Sequence, residues 1–158
     1  MARDLHERVE SEWEERLVEL DRVSRTVKGG KRMRFRALVV VGNRKGKVGM
    51  GIGKASDVQT AIKKGATQAR KHLIEVLIEG GTIPHEITVK YGSAVVFLKP
   101  ATPGTSIIAG GPVRAVIELA GIENILSKVI GSSNKINNVQ ATLTALERLQ
   151  QRPAKAQS

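Results

Sequence analysis

Six cations, Arg25, Lys28, Lys31, Arg32, Arg34 and Arg36, fall within twelve residues, and no acid interrupts them. The pair Gly29–Gly30 in their midst lets the backbone approach a ligand closely and offer its N–H groups. Guanidinium and ammonium groups at this density suit phosphate oxygens, whereas exposed loops that only face water mix their signs. The same bias holds on a larger scale. Residues 22–72 carry fifteen Lys/Arg and one acid, Asp57, while residues 1–21 carry three Arg against eight acids. Charge of one sign held within some fifty residues repels itself and attracts a polyanion. Nucleic acid is the expected partner.

No other group of residues supports a reaction. Gly53-Lys54 is followed by Ala55, and Val48 stands where a Walker loop needs its first glycine. Gly51-Ile52-Gly53 runs into Lys54-Ala55-Ser56, so the dinucleotide pattern also fails. His6, His72 and His85 lack metal-ligand spacing. Glu10, Glu12, Glu14 and Glu15 have the composition of a solvated face, and Ser106 lacks the flanking glycines of a nucleophile elbow. A non-enzyme without cofactor, metal or small-molecule substrate is expected.

The four aromatics, Trp13, Phe35, Tyr91 and Phe97, do not cluster, so base-stacking platforms for single strands are absent and structured RNA or duplex fits better. With no cysteine, disulfides and thiolate chemistry are excluded. No apolar run approaches the roughly 20 residues of a membrane span. The N-terminal residues show no signal-peptide pattern, which leads to the expectation of a soluble, cytoplasmic protein.

The elements that must hold these residues follow from periodicity. Residues 1–16 read as an acidic arm compatible with helix, pinned by Trp13 and Leu17. Alternation from Leu17 indicates a strand, and Ser24 to Arg32 reads as a basic loop. Phe35 to Val41 is a strand closed by Gly42, Asn43-Arg44-Lys45-Gly46 a hairpin turn, and Lys47 to Gly53 the returning strand. In that strand Val48, Met50 and Ile52 alternate with Gly49, Gly51 and Gly53, leaving one face bare. Either a ligand or a helix of the same domain must approach there. Ser56-Asp57-Val58-Gln59 fits a capping box with Ser56 as N-cap, opening a helix over residues 56–74. Lys63, Lys64, Arg70 and Lys71 lie off its apolar stripe. Gly80-Gly81 marks a boundary. Beyond it come strands at 86–91 and 93–98, a short helix between Pro112 and Gly121, a segment at 122–130 open to strand or helix, and a final helix marked by Val139, Leu143, Leu146 and Leu149. The expected division is an arm at 1–16, a first domain at 17–79, a second at 82–150 and a disordered tail at 151–158.

The run from Gly30-Lys31 through Phe35, Ala37, Val40-Val41-Gly42-Asn43 and Gly46 to Val48-Gly49 and Gly51 closely resembles the signature of the bacterial small-subunit ribosomal protein five family. Arg22 to Gly30 resembles the loop of its first domain. Pro103-Gly104-Thr105, Ile107 to Gly111 and Gly131 to Asn137 are similar to its second domain. The resemblance implies an α+β chain of two small α/β domains. The first is like a double-stranded-RNA-binding domain, a three-stranded antiparallel sheet plus helix; the second is a sheet with two helices on one face. It implies rRNA binding at the head–body junction of the small subunit, neighbours in ribosomal proteins four and eight, and a role in translational accuracy. Ser24, Arg25, Lys28, Gly29 and Gly30 match family rRNA contacts. With the surrounding charge and turn residues, the candidate rRNA set becomes Arg22, Ser24, Arg25, Thr26, Lys28, Gly29, Gly30, Lys31, Arg32, Arg44, Lys45, Lys47, Lys54, Lys63 and Lys64. Gly104 and Arg114 match positions facing protein four. A cation at 114 also opposes the dipole of its helix, so an acidic or carbonyl-rich partner surface is expected there.

Two other functions compete. A free double-stranded-RNA-binding regulator or chaperone would use the first domain and leave the nearly neutral second one idle. An enzyme binding phosphate at the Gly110-Gly111-Pro112 helix start would lack a metal-binding carboxylate and a base.

Overall fold

The computed structural model describes residues 13–149. Most of the arm at 1–16 and all of the tail at 151–158 lie outside the described residues. The arm's last three residues do not belong to an arm: strand β1, Glu14–Val27, begins among them. It runs antiparallel to β2, Gly30–Gly42, with Glu14 opposite Gly42 and Val27 opposite Gly30, and its register shifts between Leu17 and Glu19. The expected basic loop is therefore mostly strand. Alternating side chains extend the ladder until Lys28–Gly29, a two-residue turn that the positive φ of both glycines, 113° at Gly29 and 146° at Gly30, accommodates.

Strand β3, Lys47–Ala55, pairs with β2 from Gly42–Val48 to Phe35–Ala55. A short β4, Ile74–Glu75, adds a fourth strand where three were expected. Helix α1, Val58–Lys71, is narrower than the sequence suggested and its N-cap is Asp57 rather than Ser56. The Asp57 carboxylate accepts from the Thr60 N–H at 3.1 Å, and an anion there also complements the helix dipole.

The second sheet has the order β5 (Ile87–Tyr91), β6 (Ala94–Pro100), β8 (Ile125–Gly131), β7 (Ile107–Ile108). The segment left open between helix and strand is thus β8, antiparallel to β6 and parallel to β7. Helix α2, Gly111–Ala120, bridges β7 and β8 and stops at Gly121 with φ 97°. Helix α3, Lys135–Arg148, is capped by Asn134. Val96, Leu98 and Ile125 of the sheet are fully buried in one cluster with Val116 and Ile117 of α2 and Val139 and Leu146 of α3.

The two sheets share that core. Leu38, Val40 and Val48 of the first sheet belong to it, so β2 and β3 are buried on both faces. The opposite face carries a smaller cluster of Ala37, Val39 and Val41 with Ala61, Ala66 and Ala69 of α1. The bare glycine face lies under this helix. A Cβ on Gly51 would stand 2.1 Å from the Gly65 carbonyl oxygen, and one on Gly53 would stand 2.0 Å from that of Ala61. The close approach is internal. Among the described residues no helix is long and apolar enough to cross a membrane.

Candidate nucleic-acid interface

Strand β3 ends opposite Phe35, but β1 and β2 continue together for five further pairs, from Val23–Arg34 to Val27–Gly30. At about 3.3 Å per residue this ribbon projects about 17 Å beyond the sheet. The backbone register sets Arg25 opposite Arg32. Lys28, Arg32 and Arg34 are exposed, as are Ser24, Thr26 and both turn glycines. Arg22 lies at the ribbon's base, with its guanidinium carbon 5.9 Å from the Phe35 ring centroid. This packing directs a charged group without neutralising it. Arg36 is different. Its guanidinium is 2.7 Å from the Asp21 carboxylate and holds that carboxyl below its usual range, so it is engaged within the sheet.

Lys54, near the end of β3, faces the first turns of α1. With Thr60, Lys63, Lys64, Thr67 and Lys71 it lines a groove of about 450 Å³. The Lys64 Nζ donates to the Lys54 carbonyl at 3.5 Å. Lysines and hydroxyls around an open groove have the chemistry to receive phosphate oxygens. Sequence reasoning left Arg34 and Lys71 out of the candidate set. The four cations of 31–36, with no acid among them, and the heptad spacing of Lys64 and Lys71 are the signals for them.

Arg44, Lys45 and Lys47 sit at the opposite end of β3, in and after the hairpin turn, where the Asn43 Oδ1 accepts from the N–H groups of Lys45 and Lys47 at 2.8 and 3.1 Å. Lys45 and Lys47 are exposed, but Arg44 pairs in two-pronged fashion with Glu14. Each group holds the other charged: the pairing lowers the carboxyl and raises the guanidinium. Glu15 pairs with Arg70 of α1 at 2.6 Å. These two acids, read as a solvated face, are ion-paired strand residues because β1 begins at Glu14. The structure therefore splits the fifteen candidates, bringing the ribbon residues, Lys54, Lys63 and Lys64 to one end and leaving Arg44, Lys45 and Lys47 at the other.

The remaining pair, Gly104 and Arg114, lies near a groove of about 530 Å³ that Arg114 lines together with Arg44, Ser106 and Glu118. Gly104 is exposed with φ 92°. The expectation that nothing within the chain explains Arg114, leaving an acidic or carbonyl-rich partner surface to do so, needs correction. Its Nε donates to Glu118 Oε1 at 2.7 Å, one helical turn on, and Arg16 of β1 donates to the other oxygen at 2.6 Å. Arg114 and Arg16 together hold the Glu118 carboxyl below its usual range. The Arg16–Glu118 pair, 102 positions apart, lies outside any local pattern, whereas Arg114 and Glu118 stand at the i,i+4 spacing of one helical turn. The Arg114 side chain stays half exposed at 51% and retains free donors.

Comparison with known proteins agrees with this architecture. The family model described as Ribosomal protein S5, N-terminal domain, matches residues 13–77, and the one for its C-terminal domain matches residues 89–158. The chain is 52% identical over 141 residues to the small ribosomal subunit protein uS5 of Trichormus variabilis, covering 89% of this chain and 81% of that one. Similar values hold for uS5 of Synechococcus elongatus, 51% over 150 residues, covering 94% and 83%. The uS5c protein of Emiliania huxleyi is 53% identical over 139 residues, covering 87% of each.

Proposed function

The chain belongs to the ribosomal protein S5 family, and from that premise we propose that it is a non-enzymatic, structural constituent of the small ribosomal subunit that binds rRNA. Its place of action is the ribosome in the cytoplasm. The observation that carries the reading is the two-stranded cationic ribbon, which projects clear of the sheet with Lys28, Arg32 and Arg34 exposed. A ribbon of that width enters a groove or a junction between RNA helices, and its cations neutralise phosphates. Lys54, Lys63 and Lys64 extend the contact along the base, and Lys45 and Lys47 reach a second RNA segment from the far end of β3.

The second half supplies protein contacts. Gly104 and Arg114 form the face toward ribosomal protein four, protein eight is a further neighbour, and the whole sits at the junction of head and body. A change in this face alters decoding accuracy rather than the rate of synthesis. The first half, 14–79, carries the RNA surface, the second, 82–150, the protein surface, and the core common to both keeps them in one orientation. A free double-stranded-RNA-binding regulator would need only the first half, and a shared core gives that reading no support. The test is whether the untagged protein sediments with small subunits and stays bound at moderate salt. Loss of binding in the Lys28, Arg32 and Arg34 alanine variant would support the reading, and full retention would refute it.

A further inference from the structure

The loop that carries Gly104 is held from beneath by one buried side chain. Asn124 is 7% exposed, and its Oδ1 accepts from the N–H groups of Gly104 at 3.1 Å and Ser106 at 2.9 Å. Between these donors the chain takes φ 92° at Gly104 and φ 71° at Ser106, a left-handed conformation that a serine rarely adopts. It is held there from both sides, because the Ser106 carbonyl also accepts from the Ile125 N–H at 3.1 Å. The same asparagine reaches the turn that joins the two halves. Its own N–H and that of Glu123 both donate to the Gly81 carbonyl, at 3.0 and 2.8 Å. A second tie runs from the Ala101 N–H to the Thr82 hydroxyl at 3.2 Å. One residue thus holds the loop through its side-chain amide oxygen and the linker through its backbone N–H.

We infer that Asn124 is the positioning residue of the protein-docking face formed by Gly104 and Arg114, acting through the two N–H groups it holds. This rests on the reading of that face as an interface. An exposed loop containing a left-handed glycine and a left-handed serine samples other conformations once its acceptor is removed. Docking then requires the loop to be ordered again, which weakens association although every atom of the docking face is unchanged.

The test compares Asn124→Ala, which removes the acceptor, with Asn124→Asp, which keeps an oxygen at the same atom. In the isolated full chain, amide exchange at Gly104 and Ser106 should accelerate about tenfold in Asn124→Ala, the loss expected of a buried hydrogen bond. It should return to the wild-type rate in Asn124→Asp, while exchange in β2 and β3 stays unchanged. Because the chain has no cysteine, Thr102→Cys gives a single attachment point for a crosslinker in reconstituted small subunits. Crosslinking to a neighbouring protein should fall with Asn124→Ala and recover with Asn124→Asp. Should the alanine variant not fold, Asn124→Ser, whose oxygen is too short to reach both donors, is read in the same way. Unchanged exchange at Gly104 and Ser106 would overturn the clamp. Faster exchange with undiminished crosslinking, in a preparation where Arg114→Leu does diminish it, would overturn the positioning role. If neither Asn124→Ala nor Arg114→Leu alters crosslinking, the interface reading fails and the positioning role falls with it.

Discussion

Gly51→Ala tests the packing that holds α1 on the sheet. The added Cβ would stand 2.1 Å from the Gly65 carbonyl oxygen and 2.5 Å from the Ala69 nitrogen, both backbone atoms of the helix. Ordinary van der Waals separation begins near 3.4 Å, so the helix must retreat by roughly 1 Å. No rotamer change relieves a clash with backbone. The retreat loosens Ala61, Ala66 and Ala69 against Ala37, Val39 and Val41, so the cost falls at the upper end of the overpacking range, about 3 kcal/mol. For a chain of this length that lowers the melting midpoint by about 6–12 °C. Any glycine-to-alanine change also reduces the freedom of the unfolded chain, so the control is Gly111→Ala, where nothing lies within 4 Å of the new Cβ. The difference between the two variants in circular-dichroism melts isolates the clash. Midpoints within about 2 °C of each other would refute the packing argument.

Replacing Lys28, Arg32 and Arg34 with alanine should weaken RNA binding across sequences and flatten the salt dependence of log affinity by about 0.7–0.9 for each phosphate no longer neutralised; an unchanged slope would place the RNA surface elsewhere. Glu118 has a native pKa below its ordinary 4.5, so the unfolded chain binds its proton first and the ion pairs stabilise fully only above that value. That stability is lost as pH falls through the native pKa. Glu118→Gln should therefore flatten this part of the acid-unfolding curve, and an identical curve would remove the network from the account. Asp57→Ala should lower the melting midpoint by about 2–4 °C through the missing N-cap, whereas Ser56→Ala should leave it unchanged.

Much of this molecule is legible from local pattern. The alternation from Leu17, the β-branched run 39–41, the turn residues 43–46 and the stop at Gly121 are all where short-range sterics put them. The positive charge of residues 22–72 identified the class of partner, because like charges concentrated in one stretch have a meaning independent of fold. Order along the chain also carried the family resemblance through both domains.

Three features needed the folded chain. The glycine face of β3 leaves its occupant open in sequence, because a missing side chain records only that something comes close; α1 supplies it through Gly65 and Ala69. The engagement of Arg44 by Glu14, 30 positions away, and the sharing of the Glu118 carboxylate by Arg16, 102 positions away, depend on distances in space. Charge count alone ranked Arg44 with Lys45 as equally free. Asn124 is an ordinary polar residue until the loop at 102–106 folds over it, since its role arises from two N–H groups that only a left-handed turn directs at one oxygen. Residue types and spacing determined what this protein attracts and which elements it builds. Tertiary packing decided which charges remain available, because an ion pair or a buried hydrogen bond is a property of two places brought together and local sequence records only one of them.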